Sequence, residues 1–307
     1  MQSLQGARRT KKTEGPPEPK PLSAYRTHPD QIRGSVGLNL QLSAQTGMGK
    51  SDFIPSCPKP IHVGITDDTF YRCTPHYEDE PWWKEPYLNT YELMVLDTQQ
   101  LNDNKIASLD LLEDWAYSLC NAGLTEGTVA VDTLTYWYQW LTAWKQQIDA
   151  VGITKHVAGK KITTKLKRSQ KTGDVLQTEW SHVAERFKLV MHQLKALPLT
   201  FVVTTQMRNV RDDKGNVVKG EFYPYAHVQA PEIVDFVLEG FYKVIGGTRQ
   251  KWWEFTKIGR VKAKGETLIT VTFTGDISFP RLIDIMWDEM GVKIKYKGFL
   301  EMPEGLE

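Results

Sequence analysis

The sequence has little cysteine, no long apolar run and almost no net charge, and each shortage narrows the classes of protein to consider. Its three cysteines in 307 residues are too few and too scattered for a disulfide framework, and they are typical of a reducing compartment. No segment approaches the roughly 20 consecutive apolar residues of a membrane span. No apolar core follows the charged N-terminus, as it would in a signal peptide. We therefore expect a soluble, cytoplasmic protein with no membrane partner.

Metal-ligating pairs are equally scarce. Cys73-Thr74-Pro75-His76 offers half of a zinc site, but a structural zinc needs four ligands and no second pair exists.

The 38 basic and 37 acidic side chains leave a formal net charge of +1. Whole-molecule charge therefore argues neither for nor against nucleic acid, and any site for a polyanion must be local.

The composition predicts three segments. Residues 1–35 begin with a stretch rich in Lys, Arg, Pro and Gly that lacks a hydrophobic period, which is typical of a flexible basic arm. Whether this arm is inert or touches DNA stays open at this point. Residues 36–290 carry the periodic elements of a folded domain, and residues 291–307 form a C-terminal tail.

A glycine-rich segment at residues 43–51, S-A-Q-T-G-M-G-K-S, is the motif around which the chain is organised. It follows residues 37–42, which alternate apolar and polar residues as a half-buried strand does. Strand, glycine-rich turn and helix together predict a phosphate-binding P-loop, here with alanine in place of the usual first glycine. Two glycines permit positive φ, the lysine supplies charge for the β- and γ-phosphates, and the serine hydroxyl is a ligand for Mg²⁺. The predicted nucleotide-binding residues, which we name the glycine-rich loop, are Ala44, Gln45, Thr46, Gly47, Met48, Gly49, Lys50 and Ser51.

A second phosphate-related motif ends at Asp132. Residues 127–134 form a continuous apolar run that closes on Asp132-Thr133, as in a strand buried on both faces with a carboxylate at its carboxyl edge. This Walker B pattern predicts that Asp132 holds Mg²⁺, directly or through water, opposite Ser51. The alternative is a buried strand that merely ends in a polar turn. The sequence thus predicts ATP and Mg²⁺ as cofactors.

Hydrophobic periodicity predicts the remaining elements. Pro55 and the prolines after it limit the helix that follows the loop to a turn or two. Helices are expected over 106–122, 134–148, 180–194 and 280–289, and strands over 61–65, 92–96, 199–204, 233–245, 252–258 and 268–273.

Gln206 follows the β-branched run at residues 199–204. A polar residue that ends a central strand beside the glycine-rich loop is placed to contact a γ-phosphate or the attacking water. The alternative is a glutamine that only caps backbone groups.

Two basic hairpins are predicted to bind single-stranded DNA. One spans residues 160–178, within an insertion at about 155–178, and turns at 171–174. The other spans 208–219 around Asp-Asp-Lys-Gly-Asn, within an insertion at about 207–223. Clustered cations are typical of a polyphosphate contact, and neighbouring aromatic residues give bases a surface to stack on. Two solvated surface hairpins remain the alternative. The predicted DNA-binding residues are Lys160, Lys161, Lys165, Lys167, Arg168, Arg208, Arg211, Lys214 and Lys219.

On these motifs the chain resembles the RecA-like P-loop ATPases, and especially the compact phage- and archaeal-virus-encoded proteins of nucleotide-binding or single-strand-annealing recombination type. The resemblance covers roughly residues 36–290. It implies an α/β fold with a mostly parallel sheet, helices on both faces and β-hairpin insertions. It also implies a homo-oligomer, a ring or a filament, in the host cytoplasm if the chain is phage-encoded. Lys257 and Arg260 would resemble the family's trans-acting pair, although here they are three residues apart, not two.

One departure from the family concerns the water-activating carboxylate. The family usually has a glutamate after the second strand, whereas this sequence has Asp67 and Asp68. An aspartate can act as a general base but has a shorter reach. Glu78 and Glu80 are the alternative donors of this group.

The sequence therefore predicts an ATPase in which Lys50, Asp67 or Asp68, Asp132 and Gln206 carry the chemistry. It would bind single-stranded DNA in recombination, annealing or replication of a mobile genome. The alternatives are a nucleotide-gated scaffold with little hydrolysis and a DNA motor such as a helicase or packaging ATPase.

Overall fold

The structure is a computed structural model that describes residues 37–68, 70, 88–95, 101–157, 160–168, 170, 181–258 and 271–290. All of these residues fall in one compact unit, Ser35–Glu307. The predicted basic arm and C-terminal tail lie outside the described residues.

A nine-stranded sheet organises the described part of the chain. Its spatial order is β11-β10-β9-β1-β7-β4-β2-β3, and β8 pairs with β7 beside this path. Strands β9, β1, β7, β4, β2 and β3 run parallel, whereas β10, β11 and β8 pair antiparallel with their neighbours. The strands are β1 Asn39–Ala44, β2 Ile61–Ile65, β3 Leu88–Glu92, β4 Thr128–Asp132, β7 Thr200–Arg211, β8 Val217–Pro224, β9 Phe236–Ile245, β10 Thr248–Ile258 and β11 Thr272–Thr274; β5 Ile153–Val157 and β6 Lys160–Thr164 form a separate two-stranded sheet.

Helices cover both faces of the large sheet. They are α1 Lys50–Phe53, α2 Leu101–Asn121, α3 Leu134–Val151, α4 Ser181–Lys195, α5 Ala230–Ile233 and α6 Phe279–Met290, and a short 3-10 turn, Ile54–Ser56, continues α1. The predicted brevity of α1 is confirmed, and its end coincides with Pro55.

Alternation along the central strands separates two hydrophobic cores. In β4, Val129 and Val131 pack in a core with α2, α3 and α4, whereas Ala130 between them packs in the core that holds α1 and α6. Successive side chains of a strand point to opposite faces, so a strand that is apolar at every position needs cover on both sides. The prediction of an α/β fold with a mostly parallel sheet is confirmed.

The third strand lies earlier than predicted. Residues 92–96 were the expected strand, but β3 pairs with β2 from Leu88 to Glu92. The apolar residue Leu93 instead leaves the strand, donates its N–H to Ile65 O at 2.9 Å, and is buried in the core. The prediction was wrong because β3 is an edge strand whose side chains are half-buried or exposed. The apolar residues that follow it begin with Leu93, which packs in the core outside the strand.

The first basic hairpin pairs differently from the prediction. Residues 160–164 form β6, whose antiparallel partner is β5, so the hairpin that the structure describes begins upstream, at Ile153. Gly152 ends α3 with φ +88°, and a Cβ there would lie 2.6 Å from Thr164 O. Glycine thus allows the chain to reverse directly into β5 and to pass close to the end of β6. The predicted turn at 171–174 lies outside the described residues.

The second hairpin agrees with its prediction. Strands β7 and β8 pair antiparallel, and Gly215 in their turn has φ +83°.

Across the helices that the structure describes, none is long and apolar enough to cross a membrane.

Candidate active site

The carboxyl ends of β1, β2 and β4 meet beside the middle of β7 at one edge of the sheet. These strands are parallel neighbours in the order β1-β7-β4-β2, and ligands of open α/β sheets bind outside this edge. The glycine-rich loop leaves β1, Asp67 follows β2, Asp132 ends β4, and Gln206 lies in β7 opposite Ala44. The fold therefore brings together the four predicted components of the site from distant parts of the sequence.

The glycine-rich loop has a backbone that only glycine adopts without strain. Gly47 and Gly49 have φ of +82° and +92°, in the left-handed region. Tyr242 of β9 fixes the loop by donating its hydroxyl to Gly47 O at 2.8 Å, and its N–H to Gln45 Oε1 at 3.2 Å. The loop is thus held in place from the neighbouring strand.

Lys50 bends its ammonium group back over the loop. Its Nζ donates to Ala44 O at 2.9 Å and to Gln45 O at 3.1 Å. Burial lowers the pKa of Lys50, while the nearby Asp132 and Asp67 raise it. A phosphate oxygen would give this partly desolvated ammonium a charge-assisted hydrogen bond in place of two neutral ones.

Ser51 and Asp132 meet directly, although they lie 81 residues apart in the sequence. Ser51 Oγ donates to Asp132 Oδ2 at 2.7 Å, and the other carboxylate oxygen accepts from the Thr204 hydroxyl. Asp132 is 2% exposed. Burial raises the pKa of Asp132, and the hydrogen bonds from Thr204 and Ser51 and the charge of Lys50 act against this rise. A positive ion beside this carboxylate would offset the cost of its burial.

Threonine hydroxyls connect β2, β4 and β7 around Asp132. Thr66 Oγ1, after β2, donates to Thr133 O at 2.8 Å and accepts from Thr133 N at 2.7 Å. The Thr133 hydroxyl donates to Thr204 O at 2.9 Å. These buried bonds hold the ends of β2 and β4 and the middle of β7 in fixed relation to each other.

The same network anchors Gln206. Its backbone N–H donates to Thr135 Oγ1 at 3.0 Å, and its carbonyl accepts from Tyr225 N at 2.8 Å. The network and β8 therefore fix both backbone groups of Gln206, and with them the point at which its side chain leaves β7.

The two candidate water-activating aspartates differ in placement. Asp67 is 4% exposed and lies close enough to Lys50 to influence its pKa. Asp68 is exposed. Glu78 and Glu80 lie outside the described residues. Of the described pair, only Asp67 lies within the buried cluster around Lys50 and Asp132.

The residues present fit Mg²⁺ together with a nucleotide. Among the described residues, no group of three or more His, Cys, Asp or Glu forms an all-protein metal site. Magnesium prefers oxygen ligands and usually binds through one or two carboxylates, with phosphates and water completing its shell. Ser51 and Asp132 supply a hydroxyl and a carboxylate at hydrogen-bonding distance. These two side chains would therefore hold the ion, with phosphate oxygens as its further ligands.

The predicted DNA-binding residues divide between two regions. Arg208, Arg211 and Lys214 are exposed on the β7–β8 hairpin, and Lys219 lies on β8. Lys165, Lys167 and Arg168 are exposed after β6, where Arg168 pairs with Asp149; Lys160 and Lys161 lie in β6 itself.

The predicted trans-acting pair is described only in part. Lys257 Nζ donates to three backbone carbonyls around α5: Pro231 O at 2.7 Å, Glu232 O at 3.1 Å and Val234 O at 2.5 Å. In this chain it therefore stabilises the end of a short helix. Arg260 lies outside the described residues.

Sequence reasoning missed two groups of site residues. Thr66 and Thr133 stand just after the ends of β2 and β4, and Thr204 follows the apolar run within β7. This repeated hydroxyl position after an apolar run was a usable signal. Tyr242 reaches the loop from β9, and no local spacing indicates that contact. No family model matches the chain, and a search of curated proteins found no match.

Proposed function

We propose that the protein is a RecA-like P-loop ATPase that uses ATP and Mg²⁺, assembles as a homo-oligomer and binds single-stranded DNA. The observation that carries the proposal is the hydrogen bond between Ser51 and Asp132 beside Lys50. A P-loop serine, a strand-end aspartate and a lysine are the groups that hold nucleotide and metal in this class.

The strand order supports the RecA-like assignment. Strand β7 lies between β1, which leads into the glycine-rich loop, and β4, which ends in Asp132. Gln206 on β7 is therefore placed between the phosphate-binding and metal-binding elements. This is the position that a residue needs in order to respond to a γ-phosphate.

Each residue of the site has a distinct role in the proposed reaction. The loop N–H groups and Lys50 bind and orient the phosphates, and Ser51 and Asp132 hold the metal. Mg²⁺ would neutralise charge that develops on the phosphates. Asp67 accepts a proton from the attacking water, and Gln206 transmits the state of the γ-phosphate to the hairpin that follows it.

The β7–β8 hairpin supports the DNA-binding part of the proposal. It continues from Gln206 without a break, because β7 runs from Thr200 to Arg211. Its exposed Arg208, Arg211 and Lys214 are available to phosphates. One strand thus connects the proposed γ-phosphate sensor to the proposed DNA contact.

The test is ATP binding and turnover with and without single-stranded DNA, at low and moderate salt. We expect Mg²⁺-dependent turnover that DNA stimulates and that salt suppresses. Lys50→Ala should abolish ATP binding and the thermal stabilisation that a bound nucleotide gives. Lys105→Ala, on α2 and outside the site, is the matched control and should behave as wild type.

Other outcomes point to the alternatives. Normal ATP binding by Lys50→Ala would overturn the site assignment. Tight ATP binding with turnover indifferent to DNA would favour a nucleotide-gated scaffold, and strand displacement on duplex DNA would favour a motor.

A further inference from the structure

An open cavity of about 850 Å³ lies against the glycine-rich loop. Gln45 and Thr46 of the loop line it. The β7–β8 hairpin contributes one wall, including Arg208, Arg211 and Tyr223, and Arg249 of β10 also lines the cavity. We name this cavity the inter-hairpin cleft.

The cleft is strongly cationic although the chain as a whole is nearly neutral. The ten described residues that line it include three arginines and no carboxylate. The acidic residues of the β7–β8 hairpin, Asp212, Asp213 and Glu221, are not among these lining residues. A local excess of guanidinium groups favours a polyanion as the occupant.

Two of the arginines are fixed by stacking. Arg208 Cζ lies 3.5 Å from the centre of the Tyr225 ring, and Arg249 Cζ lies 3.6 Å from the centre of the Tyr242 ring. A guanidinium stacked on a ring keeps its N–H edges available for phosphate oxygens and loses less conformational freedom when it binds them. The stacking therefore preorganises two of the three arginines that line the cleft.

An exposed aromatic ring completes the lining. Tyr223 is 43% exposed, and Phe222 lies next to it on the same wall. Aromatic rings beside cations are how proteins bind single strands without sequence preference, because every base offers a face for stacking.

We propose that the inter-hairpin cleft binds single-stranded DNA, with Arg208, Arg211 and Arg249 on its phosphates and Tyr223 against a base. This adds the β9–β10 hairpin, through Arg249, to the DNA-binding surface. It rests on the proposed function and deepens it, because the bound strand would contact Gln45 and Thr46 of the glycine-rich loop itself. Tyr242 contributes to this link, since it supports Arg249 and also binds the loop at Gly47.

The experiment compares Arg249→Ala with Lys243→Ala. Lys243 is a cation of the same hairpin, but it lies over Trp252 at 4.1 Å, on the face opposite Tyr242 and Arg249. Binding of a fluorescent oligothymidine is measured by anisotropy over a range of salt concentrations, and ATP affinity is measured separately for each protein. Tyr223→Leu tests the stacking contact in the same assay.

Arg249→Ala should weaken DNA binding about fivefold at about 0.1 M salt and lower the salt slope by about 0.7, the loss of one phosphate contact to a single strand. Tyr223→Leu should weaken binding about tenfold with little change in slope. Lys243→Ala should bind as wild type, and ATP affinity in the absence of DNA should not change in any of the three variants.

The outcomes separate this inference from the proposed function. If Arg249→Ala and Lys243→Ala bind DNA equally well, the cleft is not the DNA site, whatever the ATPase result. If Arg249→Ala loses ATP affinity while DNA binding persists, the cleft holds part of the nucleotide and the inference is wrong. Failure of Lys50→Ala to abolish ATP binding would instead overturn the proposed function and leave the DNA measurement valid.

Discussion

At the scale of single residues, the buried charge of Asp132 lowers the stability of the nucleotide-free protein. The proposed function needs this charge to hold the metal ion. Burial raises its pKa despite hydrogen bonds from Ser51 and Thr204 and the charge of Lys50. The ordinary pKa of an aspartate is 3.8, and that of Asp132 in the folded protein is higher. As pH rises from the first value to the second, the free energy of unfolding therefore falls. The charged carboxylate is therefore a net cost in the nucleotide-free protein.

Asp132→Asn should accordingly separate stability from activity. We expect its melting temperature at about pH 7 to equal or exceed that of wild type, because the substituted amide still accepts a hydrogen bond without a buried charge. At pH values below the ordinary pKa of an aspartate the two proteins should converge. Mg²⁺-dependent turnover should fall about 100-fold or more, since a charge that stabilises the transition state is lost. Calorimetry across this pH range checks the first part, and a variant that melts well below wild type at neutral pH would contradict it.

Gln206 offers a second test at this scale. Both of its backbone groups are held by hydrogen bonds, so Gln206→Ala should fold normally. We expect ATP affinity close to wild type but loss of the stimulation of turnover by DNA, because the proposed γ-phosphate contact is absent. The control is Gln193→Ala on α4. Full DNA stimulation in Gln206→Ala would show that coupling does not pass through this side chain.

At the scale of elements, the β7–β8 hairpin is separable from the sheet that holds the nucleotide site. Strand β7 pairs with β1 only as far as Gln206, and the residues beyond it pair with β8. The hairpin buries little of its surface. Removal of the hairpin should therefore change the free energy of unfolding of the core only slightly.

Replacing residues 208–223 with Asn-Gly, a pair that favours a tight antiparallel turn, tests this separation. ATP binding should persist and the melting temperature should change by no more than a few degrees. The salt slope of DNA binding should fall by about 2 to 3, because Arg208, Arg211, Lys214 and Lys219 are removed at roughly 0.7 each. Circular dichroism and anisotropy titrations measure these effects, and an unchanged slope would place the DNA site elsewhere.

At the scale of the assembled protein, the proposed oligomer has a direct test. RecA-like enzymes act as rings or filaments, so ATP and Mg²⁺ should raise the mass measured by light scattering above that of one protomer. Lys50→Ala should not respond to the nucleotide. A protein that stays monomeric with ATP and DNA together would contradict the oligomeric part of the proposal.

The pairing of strands in the whole sheet explains why two elements were not predicted correctly. The predicted position of β3 was wrong because the position of this edge strand depends on its pairing with β2 and not on its own apolar content. The pairing of β6 with β5 was missed because it depends on the chain reversal at Gly152. Both errors concern which segments pair, and pairing is a property of the assembled sheet.

The local motifs could be read from the amino-acid sequence alone: a strand, a glycine-rich turn and a helix cut short at Pro55, and an apolar strand that ends in Asp132. Each of these follows from backbone preferences or from side-chain alternation over a few residues. Folding in three dimensions is what places Ser51 against Asp132, brings Thr66, Thr133 and Thr204 together around Asp132, and makes Arg249 and Arg208 line the same cleft. These contacts join residues far apart in the chain, 81 positions in the case of Ser51 and Asp132. They arise from strand order and packing, which local spacing does not encode.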